Sequence, residues 1–143
     1  MPDAREVMKR PVLHRWLFID TSQKGTFRSG MIGPGAVRVR RGRGRASGLL
    51  RHLENLRMSV ISCADGICVV VGPGSFSAVR VGVLVANVLA RWWKKPLVGI
   101  EVHEAENIKQ LVDDLDQGRK IPQSFVEPRY DAEPNITIAK TSV

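Results

Sequence analysis

Residues 66–82 read GICVVVGPGSFSAVRVG, and this stretch decides the fold: an apolar run breaks at Gly72-Pro73-Gly74 and restarts with helical character. Ile67 to Val71 is rich in β-branched residues, which predicts a strand buried on both faces. Gly72 and Gly74 permit backbone angles closed to other residues, and Pro73 stiffens the corner between them. Ser75 is then placed to cap a helix running to about Trp92, with Pro96 beyond it. Free N–H groups at such a helix start can cradle an anion, so Gly72, Gly74 and Ser75 are candidate anion or nucleotide ligands. The phosphate-loop pattern is not met, because no lysine follows until Lys94. A purely structural strand-to-helix corner is the preferred reading.

Working outward, Leu97 to Ile100 predicts another buried strand, and His103 to Leu115 an acidic amphipathic helix with Ile108, Leu111, Val112 and Leu115 on one face. Upstream, Trp16 to Asp20 is a short apolar strand ending in Asp20-Thr21-Ser22. Gln23-Lys24-Gly25 turns the chain into a second extended segment, Thr26 to Ile32, and Gly33-Pro34-Gly35 turns it again. Val37 and Val39 then alternate with Arg38 and Arg40, as in a half-exposed third strand. Ser47 can cap a helix carrying Leu49, Leu50, Leu53 and Leu56. The expected fold is α/β: a three-strand antiparallel meander, then alternating helices and parallel strands.

The helix after Ser75 carries more apolar surface than one sheet face can cover. After Ser77 its strongly polar members, Arg80, Asn87 and Arg91, fall on one narrow stripe at about 100° per residue. The excess predicts a partner subunit, with simple burial within the monomer as the alternative.

The 143 residues carry a net charge of +8, with 43% hydrophobic and 25% charged residues, which excludes a wholly disordered chain and fits one domain. Charge is segregated. Val37 to His52 holds six arginines (Arg38, Arg40, Arg41, Arg43, Arg45 and Arg51) and no acid, whereas Glu101 to Asp116 holds six acids against Lys109. The arginines suit RNA phosphates, an acidic protein face, or a solvated edge kept from aggregating by its charge. Cys63 and Cys68 lack zinc spacing and read as reduced thiols. No secretory leader or membrane span is expected, and a cytoplasmic location follows.

Asp20-Thr21-Ser22, the Gly72 to Gly82 segment and Pro96-Leu97-Val98-Gly99-Ile100 together resemble the TsaB (YeaZ) family over about residues 15–105. Pro128-Arg129-Tyr130 with Pro134-Asn135-Ile136-Thr137 is similar to that family's closing segment. The resemblance implies the first lobe of an actin-like, ribonuclease-H-like fold, with the second lobe largely missing. Residues 1–14, with Pro2, Pro11 and scattered charges but no clear period, read as a flexible extension. The resemblance makes 15–117 the actin-like lobe and 118–143 a tail that is the remnant of the second lobe. It also implies a non-catalytic subunit of the machinery that makes threonylcarbamoyladenosine beside the tRNA anticodon. That subunit would bind a catalytic paralogue, TsaD, with an ATPase, TsaE, joining the assembly, and with tRNA met indirectly. By the same resemblance the helices at about Ser47–Met58 and Ser75–Trp92 pack against the paralogue or a second copy. Leu50, Leu53, Leu84, Asn87, Val88 and Arg91 are the expected contacts.

No resident cofactor or metal is expected. His14, His52 and His103 are far apart in sequence, and no His-x-x-x-His pair exists to hold a metal. Asp20 ends the first strand, where actin-like folds place an acid that serves a phosphate-bound metal; a turn-forming Asp is the preferred reading. Two alternatives to the scaffold remain: a basic RNA-binding accessory using Arg38, Arg40, Arg41, Arg43 and Arg45, and a phosphate- or nucleotide-binding enzyme using Asp20, Gly72, Gly74 and Ser75.

Overall fold

The computed structural model describes residues 14–44, 46–56 and 58–130. Arg45, the first 13 residues and the Pro134–Thr137 part of the closing segment lie outside them. Strand β1 (Trp16–Asp20) is buried along its whole length, and β2 (Thr26–Gly33) and β3 (Ala36–Arg43) follow it antiparallel. Strands β4 (Gly66–Gly72) and β5 (Leu97–Glu101) add in parallel, giving the order β3-β2-β1-β4-β5. The meander and the parallel strands are as the sequence predicts.

Because side chains alternate along a strand, β1 and β4 feed two cores. Leu17, Ile19, Ile67 and Val69 face helices α1 (Ala46–Asn55), α2 (Met58–Ser62) and α3 (Phe76–Trp93), through Leu49, Leu53, Ile61, Val79 and Val83. Trp16, Phe18, Cys68 and Val70 face the other way, onto a 3-10 turn (Val102–Glu106) and α4 (Ile108–Asp116), through Ala105, Leu111 and Leu115. Cys63 and Cys68 are both free, and burial pushes the Cys68 thiol up to about 12.

Four local expectations need correction. Ser47 lies inside α1, which begins at Ala46, so it is no cap. That helix stops at Asn55 rather than Met58, because the Leu56 amide is shared between the His52 and Leu53 carbonyls and the last turn tightens. The acidic helix divides at Asn107, whose side chain accepts the Gln110 amide at 3.2 Å and starts α4 afresh. Ser75 does stand at the cap position of α3, but its side chain makes no capping bond; its carbonyl accepts the Val79 amide.

Residues 118–130, expected as a tail, pack back on the lobe. The Gln123 amide donates to Leu97 O at 2.8 Å and the Arg129 amide to Val71 O at 2.6 Å. Val126 is buried against α3, and Arg129 pairs with Glu101. This strap closes one end of the sheet.

Candidate functional site

The Gly72-Pro73-Gly74 corner is packed by the strap. Gly72 has φ +125°, and a Cβ there would stand 2.0 Å from the Arg129 carbonyl oxygen. Tyr130 bridges to Gly74 and sets its ring 4.4 Å from that of Phe76, which Arg80 covers from another side. A Cβ at Gly74 would meet Ser22 O at 2.8 Å. The glycines thus serve close backbone approach. This geometry describes the purely structural corner preferred from the sequence, with backbone of the Arg129 and Ser22 segments set against Gly72 and Gly74.

Asp20 is equally committed. Its Oδ1 accepts the Ser22 amide at 2.9 Å and the Ser22 hydroxyl at 2.6 Å, while Oδ2 accepts Arg28 Nη2 at 2.8 Å and Nε at 3.2 Å. The turn-forming reading describes this geometry, and Arg28 is the partner that sequence reasoning missed. Thr21 ties the same loop to α3, donating to Ala78 O at 2.6 Å and accepting the Gly82 amide at 3.1 Å. Among the described residues no group of three His, Cys, Asp or Glu side chains is placed to hold a metal ion.

Helix α3 presents two faces. Val79, Gly82, Val83, Ala86 and Ala90 are buried against the sheet. Leu84, Val88 and Trp92, at four-residue intervals, form an outer stripe exposed to 64%, 54% and 76%. Leu50 on α1 and Arg91 are exposed as well. Leu53 is corrected, since only 5% of it is exposed and it belongs to the core. Asn87 is half-buried and lines the cleft beside Leu84; its Nδ2 donates to Val83 O and Val126 O and its Oδ1 accepts the Val126 amide, so it also pegs the strap. Trp92 was missed, although its spacing from Val88 signalled it. Clefts of about 490 Å³ flank α3, one bounded by Arg80, Leu84, Val126 and Pro128, the other by Leu50, Ile61 and Leu89.

The pleat divides the arginines. Arg40 stands opposite Ser29 and Arg38 opposite Met31, on the α1 side; Arg41 stands opposite Arg28, and Arg43 opposite Thr26, on the other. All four are exposed.

On the α1 side His52 Nδ1 lies 2.7 Å from the buried Ser29 hydroxyl, and its Nε2 is buried without a partner among the described residues. Burial first, and Arg40 second, lower its pKa below 6.5. Between the folded value and 6.5, unfolding takes up a proton. The neutral ring's contribution to stability is therefore complete above pH 6.5 and is lost as pH falls through 6.5 toward the folded pKa. We expect the denaturation midpoint to drop between about pH 7.5 and 5.5, and a His52→Gln chain to show a flatter profile over that window. Equal slopes in the two chains would refute the assignment.

The sheet order with helices on both faces defines an α/β lobe of the actin-like, ribonuclease-H-like class. Within that class, residues 51–119 match the TsaD family model, described as tRNA N6-adenosine threonylcarbamoyltransferase. The lobe is similar to the solved YeaZ from Pseudomonas aeruginosa, with TM-score 0.55 and 24% identity over 62% of this chain and 44% of that one. A second solved structure, described as an uncharacterized protein with similarity to peptidase YeaZ from Pseudomonas aeruginosa, gives 0.55 and 24% over 62% and 43%. No curated protein matches. The chain spans less than half the length of either solved relative. The resemblance to the TsaB (YeaZ) family is borne out in the fold.

Proposed function

We propose that this chain is a non-catalytic scaffold or activator subunit in tRNA threonylcarbamoyladenosine formation. It binds a TsaD-like catalytic paralogue through the outer face of α3 and the exposed edge of α1, and a TsaE-like ATPase joins that assembly. The observation that carries the reading is the stripe of Leu84, Val88 and Trp92, three large apolar side chains left to solvent on one helix and flanked by clefts. A second copy of the chain can cover the same stripe, which makes a homodimer the resting form and the paralogue its competitor.

The commitments of Asp20 and of the glycine corner favour this reading over a nucleotide-binding enzyme. No helix among the described residues is long and apolar enough to cross a membrane, which suits a cytoplasmic assembly. Co-expression with the TsaD-like protein tests the proposal. The two are expected to purify together, and tRNA modification is expected to depend on both. Failure to associate, or modification that proceeds equally well without this chain, would sink it.

A further inference from the structure

We infer that strand β3 is a docking edge for the phosphate backbone of helical RNA, with Arg38 and Arg40 as its principal contacts. The strand forms one end of the sheet, and its outer backbone edge is unpaired among the described residues. Residues 21–53 contain Lys24, Arg28, Arg38, Arg40, Arg41, Arg43, Arg45 and Arg51 and no Asp or Glu. Among the described residues Arg38, Arg40, Arg41 and Arg43 enter no ion pair, whereas Arg28 is neutralised by Asp20.

The two faces of β3 are not equivalent. Arg41 lines a cleft with Glu106, whose carboxylate repels phosphate, and with the mutually neutralised Asp20–Arg28 pair. Arg38 and Arg40 have Ser29 and Met31 as cross-strand partners and no acid in the register. They are two residues apart, about 7 Å along the strand, so both guanidinium groups can follow one phosphate strand.

An acidic protein face is the competing partner, and the edge fits it less well. A stable protein interface needs an apolar anchor at its centre, and on β3 the only large exposed apolar side chain is Val37. Phosphate contacts need none. The absence of aromatic side chains from β3 also argues against stacking on single-stranded bases and for backbone contact with a duplex. The choice of tRNA as the duplex-bearing RNA rests on the scaffold reading; the basic edge stands without it.

The test uses the full chain alone, so its failure is separate from failure to bind the paralogue. Anisotropy of a labelled tRNA transcript is followed from about 50 to 200 mM salt, for the wild type, R38A/R40A and R41A/R43A. Binding by the wild type is expected, with R38A/R40A weakening it about tenfold per arginine at the low-salt end and lowering the log–log salt slope by about 1.4 to 1.8. R41A/R43A should lose less. No binding at about 50 mM salt, or equal binding by R38A/R40A, overturns the inference. Displacement of tRNA by polyglutamate as readily as by unlabelled duplex RNA also overturns it, in favour of an acidic protein. If the alanine chains do not fold, crosslinks from bound tRNA to the wild type decide: peptides covering 37–43 support the edge, and crosslinks confined elsewhere refute it.

Discussion

Replacing Leu84 and Val88 together by aspartate is expected to abolish association with the TsaD-like paralogue, and with a second copy of the chain, while leaving the lobe folded. In the isolated chain both side chains are more than half exposed, so the change removes little from the core. Surface substitutions of this kind fall within about 0.5 kcal/mol of neutral. In the complex, each side chain would be buried, a contribution of about 1.5–3 kcal/mol that aspartate forfeits, and two carboxylates would be desolvated without partners. A combined loss above about 4 kcal/mol weakens binding about a thousandfold or more. Calorimetric titration of the partner gives the affinity, and circular dichroism gives the fold. Trp92→Ala should also weaken binding, because an exposed Trp at the end of such a stripe is the residue type that dominates interface energetics. A double variant that binds like the wild type would show that the contact lies on another face.

The same helix shows how far sequence carries. The borders of β1, the antiparallel meander and the strand-corner-helix unit follow from local patterns, because burial on two faces selects β-branched runs and turns select glycine. The rotation of a helix on its sheet is a different matter. Leu49, Leu50 and Leu53 of α1, with Leu56 just past its end, cover a broad arc, and only the packed structure turns Leu49 and Leu53 inward and Leu50 outward. The tie from Asn87, on the polar stripe of α3, to the strap is not legible in the sequence, because its partner Val126 is 39 residues away and leaves no local mark. The Asp20–Arg28 pair is intermediate. The two residues face each other directly across β1 and β2, so the pair becomes legible once the hairpin register is fixed. The arginines of β3 read as one block in the sequence, and the pleat sorts them onto two faces with different neighbours.

Gly72→Ala should be the most destabilising single-methyl change in the lobe's glycine corner, at about 3 kcal/mol or more. Two costs add. The backbone at φ +125° is one that L side chains rarely adopt, and the new methyl would stand 2.0 Å from Arg129 O, a main-chain atom that cannot swing aside as a side chain would. Relief requires the strap to lift, which breaks the Arg129 amide bond to Val71 O and uncovers the Tyr130–Phe76 stack. For a domain of this size the thermal midpoint is expected to fall by about 10 °C. Trypsin should gain early cuts at Arg119, Lys120 and Arg129 as the strap opens. Asn87→Ala should reproduce the strap opening by another route. It leaves the Val126 amide and carbonyl without their side-chain partner, at a cost of about 1–3 kcal/mol, with no change at the corner itself. Gly35→Ala is the control, since a Cβ there meets nothing within 4 Å, and its midpoint should stay near that of the wild type. If Gly72→Ala melts with the wild type and shows the same tryptic pattern, the strap does not hold the corner and the glycine's role lies elsewhere.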